Sequence, residues 1–266
     1  MATGKLKIDI RRQSILEALN RNGQVFVSEL SQQLGATQVT IRNDLDALAR
    51  EGHLERIQGG AIRKPEKVNP HAPVSATSAP IQANHRAIAE AVLDYIRDGD
   101  TLFINSGMTT LTVAEIVSKR RGLTVITNSL AIAQHLAHQP DTNLILIGGQ
   151  LNANYGFTYG GNALEQLQQY QPQWSILSVD GIHPQRGITT YHANEVMIDR
   201  AMIAQAQKTL IVADNRKIGN LGFSHICNLN QCYLLITDSS ADPQTLSQIQ
   251  QEGIAVRVAD PLSSSK

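Results

Sequence analysis

The apolar positions change their rhythm about a quarter of the way along the chain. Ile15, Leu16 and Leu19 mark one face of a first helix over about 9–21, which Asn22-Gly23 stops. Leu30 and Leu34 stand at i and i+4 in a shorter second helix, SELSQQLG, which Ser28 can cap and Gly35 ends. Thr37 caps a third helix through about Glu51, with Ile41, Leu45 and Leu48 on one stripe. Gly52 closes that helix, and HLERIQGGAI reads as two short strands around a turn. Beyond residue 84 short apolar runs (TLFI, LTVIT, NLILIGG, WSILSVDG, TLIVAD, CYLLITD, IAVRVA) alternate with helical stretches over about 87–96, 111–120, 130–138 and 194–207 and one more before the last run. Runs that are apolar on both faces, alternating with helices, imply a largely parallel α/β sheet covered on both sides.

The segment between the two rhythms, PEKVNPHAPVSATSAPIQAN at 65–84, carries Pro65, Pro70, Pro73 and Pro80 among small polar residues. Proline removes a backbone donor and restricts the residue before it, so an extended linker is expected. The expected organisation is a small helical module with a hairpin over 1–64, a linker over 65–84 and an α/β domain over 85–262.

The 266 residues are 42% hydrophobic and 17% charged, which excludes disorder throughout. Lys+Arg and Asp+Glu both total 23, so a uniformly basic chain is excluded too. The neutral total hides a split. Residues 1–67 carry 11 basic and 8 acidic side chains, a net of +3, and residues 68–266 carry 12 and 15, a net of −3. A mildly basic N-terminal module suits a nucleic-acid partner. With no signal-like N-terminus and no run of about 18 apolar residues, a cytoplasmic protein with no membrane partner is expected. His225, Cys227 and Cys232 are an incomplete ligand set, so reduced structural thiols are expected, and neither a metal nor a cofactor.

Two short helices joined through Gly35-Ala36 form a helix-turn-helix pattern, whose second helix lies in the major groove with its N-terminal residues at the base edges. With Ile41, Leu45 and Leu48 turned inward, Thr37, Gln38, Thr40, Arg42 and Asn43 face outward. Gln and Asn can read adenine, and Arg can read guanine or hold a phosphate. Arg56, in the hairpin, can serve as a wing. A solvated helix face, or a module that docks protein, is the alternative reading of these residues.

In open α/β sheets ligands sit at the carboxyl ends of the strands. Here those ends carry Asn105, Ser106, Gly107, Thr109 and Thr110, then Thr127, Asn128 and Ser129, then Gly148 and Gly149, then Asp180 and Gly181. Hydroxyls and backbone N–H groups at helix N-termini suit a phosphate. Glu195, Lys217 and Asp214 can complete the set, carboxylates on hydroxyls and the lysine on an anion. Asp214 reads equally well as a turn residue, and His183 and His192 as loop histidines.

The stretch VSELSQQLGATQVTIRNDLDALAREGHLERIQGGA resembles the winged helix-turn-helix of the DeoR family of bacterial repressors. DGDTLFINSGMTT, TNSL, IGGQL, VDGIHPQRGITT, NEVMIDRAMI and VADNRKIGNLGF extend the resemblance over nearly all of the rest. The family pattern has Ser at Thr37, Arg at Asn43, Asp at Asn105, Ser or Thr at Met108 and Ser at Arg216, and a Glu-Lys pair before Ile88-Ala89. The resemblance implies a C-terminal domain like ribose-5-phosphate isomerase. It also implies a homo-oligomer, dimer or tetramer, bound to double-stranded operator DNA and relieved by a phosphorylated sugar. Two other classes are distinguishable from this one. An isomerase or deaminase would use Asp180, Glu195 and Lys217 for proton transfer. A DNA-binding protein whose C-terminal domain only oligomerises would bind no small ligand.

Overall fold

The computed structural model describes residues 8, 11–19, 24–63 and 79–260. The chain divides into two compact units, 1–67 and 68–266.

The first unit runs α1 (11–19), β1 (Gln24–Phe26), α2 (Val27–Gln33), α3 (Gln38–Arg50), β2 (Leu54–Ile57) and β3 (Gly60–Arg63). Ile15, Leu19, Leu30, Ile41, Leu45, Leu48 and Leu54 close one apolar core beneath the antiparallel sheet β1-β3-β2. Each fully buried Leu or Ile contributes about 1.5–3 kcal/mol. Asp44, on the inner face of α3, is covered by an ion pair with Arg11 and a second with Arg12 at 3.2 Å. Thr37 caps α3, as its position predicts, its Oγ1 accepting from Thr40 N at 3.2 Å.

The start of α2 differs from the sequence expectation. The helix begins at Val27 with Phe26 at the N-cap and no side-chain cap, so Ser28 lies inside it. Strand β1, which no alternation announces in so short a run, leads straight into α2, and Val27 N donates to Gly59 O at 2.9 Å. That wing carbonyl does the work of a cap. Gly60 is required beside it, because a Cβ there would lie 2.1 Å from Val25 O.

The second unit contains α4 (Ala79–Val92), β4 (Thr101–Ile104), α5 (Met108–Val117), β5 (Thr124–Thr127), α6 (Leu130–Leu136), β6 (Asn143–Leu146), β7 (Gln150–Asn152), β8 (Phe157–Tyr159) and α7 (Gly161–Leu167). It continues with β9 (Trp174–Ser178), β10 (Gly181–His183), β11 (Gly187–Thr190), α8 (Ala193–Gln205), β12 (Lys208–Val212), β13 (Ser224–Cys227), β14 (Leu234–Asp238), α9 (Pro243–Gln251) and β15 (Ala255–Ala259). Seven strands form one parallel sheet in the order β15-β14-β12-β9-β4-β5-β6. Alternate residues feed opposite faces: Leu102, Ile104, Leu210 and Val212 enter one core, Phe103 and Ile211 the other. This two-sided burial is why the strands read as continuous apolar runs.

Helix α4 starts at Ala79, so residues 79–84, expected as linker, are helical. Pro80 fits because the first turn of a helix has no intrahelical use for its missing N–H. Pro65, Pro70 and Pro73 lie outside the described residues. Two small antiparallel sheets, β10-β11-β13 and the β7-β8 hairpin, escape the sequence pattern.

Candidate nucleic-acid interface and ligand site

Thr37, Gln38, Arg42 and Asn43 are exposed on α3 and Thr40 is half-buried, opposite the stripe of Ile41, Leu45 and Leu48. Arg42 donates to Gln38 Oε1 at 3.4 Å, one turn back, which holds two exposed polar side chains of this face together. Thr37 and Thr40 hydroxyls lie 2.9 Å apart. Val39, 62% exposed, adds an apolar contact surface to the same end of the helix. Arg56 stands apart from this group: it donates to Asp46 at 2.7 Å and to the Gly60 carbonyl, so it braces the wing against α3.

In the second unit the carboxyl ends of β4, β9 and β12 converge. Asn105, buried, follows β4; its Nδ2 donates to Ser178 O at 2.9 Å and Asp199 Oδ1 at 3.0 Å, and its Oδ1 accepts from Ser178 N at 2.9 Å. Asp180, after β9, pairs with Lys217 at 3.1 Å and accepts from Thr190 Oγ1 at 2.9 Å and Tyr191 N at 3.0 Å. Glu195, in the first turn of α8, lies 3.2 Å from the same Thr190 hydroxyl. Asp214 caps the 3-10 turn Asn215–Lys217 that carries the lysine, and is itself held by Arg216 at 2.7 and 2.9 Å and by His85 at 3.2 Å.

Asp180, Glu195 and Asp199 titrate apart. Burial works against the charge of Asp180, yet Lys217, the Tyr191 N–H, His192 and Thr190 together hold its carboxyl below the usual range. Burial, then the neighbouring Asp199 and Asp180, push Glu195 well above it. Burial raises Asp199 to about 7 against the Asn105 hydrogen bond.

The remaining predicted residues hold the loops in shape. Gly107 opens α5, after Ser106, and has no side chain to cap the first-turn N–H groups of the helix. Thr109 is buried, and Thr110 Oγ1 donates to Gly107 O at 3.1 Å. Thr127 Oγ1 donates to Ile104 O at 2.6 Å and accepts from Ser129 N, and Ser129 in turn caps α6. Asn128 Nδ2 donates to Thr158 O at 3.0 Å under the β7-β8 hairpin, while its Oδ1 is buried without a partner. Gly148 N donates to Gln166 at 3.0 Å and Gly149 follows it. Gly181 serves packing: a Cβ there would lie 2.5 Å from Asn220 O and 2.6 Å from Thr189 Oγ1.

Ser178, Thr190 and Asp199 belong to this cluster and were not singled out from the sequence. Asp199 had a signal, since it stands at i+4 from Glu195 on one helix face. Ser178 and Thr190 had none, because only the register of β9 and β11 brings them in. His192, expected as a loop residue, precedes α8 and has its ring 4.1 Å from that of Tyr155. Cys227 and Cys232 are both buried with sulfurs 3.8 Å apart. Among the described residues no group of three or more His, Cys, Asp or Glu is placed to hold a metal ion, and no helix is long and apolar enough to cross a membrane.

Comparison with known proteins places this geometry in a family. The model of the DeoR-like helix-turn-helix domain matches residues 11–67, and that of the DeoR C terminal sensor domain matches 82–239. The HTH-type transcriptional repressor CsqR of Escherichia coli (strain K12) is 30% identical over 259 residues, 96% of this chain and 97% of that protein. The glycerol-3-phosphate regulon repressor of the same strain is 29% identical over 229 residues, 86% and 90% of the two chains. Among solved structures, ribose 5-phosphate isomerase from Plasmodium falciparum aligns with 51% of this chain and 52% of its own, at 13% identity and a TM-score of 0.38. With both domain models matched in order and a repressor aligned along nearly its full length, the chain belongs to the DeoR family of DNA-binding transcriptional regulators, not enzymes, its reading helix α3 followed by a C-terminal sensor domain.

Proposed function

We propose that this regulator represses an operon of sugar metabolism and that a phosphorylated sugar intermediate, bound at the carboxyl ends of β4, β9 and β12, relieves the repression. The observation that carries the reading is the convergence of a carboxylate–lysine pair, Asp180 and Lys217, with a buried carboxyl, Glu195, beside the uncapped N-terminus of α5. Carboxyl groups suit sugar hydroxyls, while a lysine and a helix N-terminus suit a phosphate. The name of the glycerol-3-phosphate regulon repressor supports a small phosphorylated effector. On the DNA side, Thr37, Gln38, Thr40, Arg42 and Asn43 read bases and hold phosphates. Arg56 reaches the backbone by exchanging Asp46 for a phosphate. The regulator works in the cytoplasm as a homo-oligomer, so that two α3 helices meet paired half-sites.

The test is a gel-shift series on the DNA upstream of its own gene, with and without a panel of sugar phosphates. Retarded DNA released by one member of the panel is expected. No retardation of any fragment at low salt refutes the operator reading. Retardation without release, together with no rise in melting temperature for any panel member, refutes the effector reading and leaves a sensor domain that only oligomerises.

A further inference from the structure

Thr190 Oγ1 has three polar neighbours: Asp180 Oδ2 at 2.9 Å, Glu195 Oε2 at 3.2 Å and His192 N at 3.2 Å. A hydroxyl has one hydrogen to give and two lone pairs to receive. The His192 N–H can only donate, so it occupies one lone pair. The single hydroxyl hydrogen goes to one carboxyl group. The other carboxyl oxygen then faces a lone pair, which repels it unless that group brings its own proton. Asp180 is the one fitted to stay ionised, because Lys217 sits 3.1 Å from its Oδ1 and the Tyr191 N–H donates to its Oδ2. The remaining proton therefore belongs on Glu195.

We propose that Glu195 is a neutral carboxylic acid at neutral pH, donating its proton to Thr190 Oγ1, and that this neutrality is what lets an anionic ligand enter a site otherwise crowded with carboxylates. Lys217 pairs with Asp180 at 3.1 Å and its charge reaches Glu195, while Asp199, one turn along α8, takes its hydrogen bond from Asn105. An ionised Glu195 would leave the site with more negative charge than Lys217 can balance. Neutral, it removes one of those charges and leaves Asp180 balanced by Lys217.

The groups that act most strongly on Glu195 are Asp199 one turn along α8, Asp180 beyond β9 and Lys217 in the turn after β12. Of the other elements packed on α8, α7 carries Glu165, β8 Tyr159 and β13 His225, none of which is among the groups that shift Glu195. Burial and the two acids raise the Glu195 pKa, and the Thr190 bond and Lys217 lower it, with the balance upward.

The link to an anion rests on the effector reading above; the protonation does not. The test uses the full chain without ligand. Wild type and Glu195→Gln, which mimics the neutral acid, are unfolded at a series of pH values between 5 and 7. A carboxyl group with a raised folded pKa holds its proton where the unfolded chain has released it. Wild type should then lose up to tenfold in folding equilibrium per pH unit relative to the variant as pH rises. A difference that is flat over this range overturns the proposal. If the variant fails to fold, the carboxyl carbon-13 shift of Glu195 in wild type decides: a titration midpoint above 7 supports the proposal and one below 7 overturns it. An ordinary titration leaves the effector reading standing, and a ligand screen without a hit leaves the proton in place.

Discussion

Replacing Asp214 by alanine tests the polar joint between α4 and the turn that carries Lys217. The carboxylate is 4% exposed and accepts from Arg216 N, Nε and a terminal guanidinium nitrogen at 3.0, 2.9 and 2.7 Å, with His85 Nε2 at 3.2 Å. Removing it leaves His85, itself only 6% exposed, with an unmatched ring nitrogen, at about 1–3 kcal/mol. Breaking a fully buried ion pair costs about 3–5 kcal/mol, but Arg216 is 52% exposed and regains water, so the ionic loss falls well short of that. A total of about 2–4 kcal/mol is expected, including a 3-10 turn without its cap. For a unit of this size that lowers Tm by roughly 4–12 °C. The pH dependence has a definite sign. Burial opposes the charge, yet the His85 and Arg216 bonds hold the folded carboxyl well below its ordinary value of 3.8. The contribution is therefore present above the unfolded value and lost as pH falls through the range below it. Thermal unfolding of wild type and Asp214→Ala, followed by circular dichroism, should show a constant gap above pH 5 that narrows below about 4. A gap under 2 °C at pH 7, or one that persists unchanged at pH 3, refutes the reasoning.

Gly60→Ala should destabilise the first unit by about 1–3 kcal/mol, since its Cβ would meet the Val25 carbonyl at 2.1 Å and force β3 away from β1; unfolding monitored in that unit checks it. Thr37→Val removes the oxygen that accepts from Thr40 N and should cost about 1 kcal/mol of stability together with weaker operator binding in a gel shift. Arg42→Ala separates two roles: a loss confined to one operator base marks a base contact, whereas a uniform loss with a salt slope smaller by about 1 marks a phosphate contact.

The helices of the first unit and the seven-stranded sheet were legible because they follow from periodicity, which needs only local residues. What the sequence concealed depends on register. Strand β1 is three residues long, and the capping of α2 by the Gly59 carbonyl is visible only once β1 is paired with β3. The same holds for the site. Asp180, Glu195 and Lys217 could be named as chemistry-bearing residues at strand ends, but Ser178, Thr190 and Asp199, which complete the polar cluster around them, arrive through β9, β11 and one turn of α8. Departures from the family pattern also change meaning when placed. Asn105 lies 3.0 Å from Asp199, and an aspartate there would put two carboxylates face to face. The amide instead donates to Asp199 and ties the ends of β4 and β9 together. The neutral charge of the whole chain likewise resolves into two local balances. The first unit carries a modest excess of +3, which makes non-specific attraction to DNA moderate and leaves operator affinity to specific contacts. The second unit carries a deficit of −3, within which Lys217 balances Asp180 at the carboxyl ends of the strands.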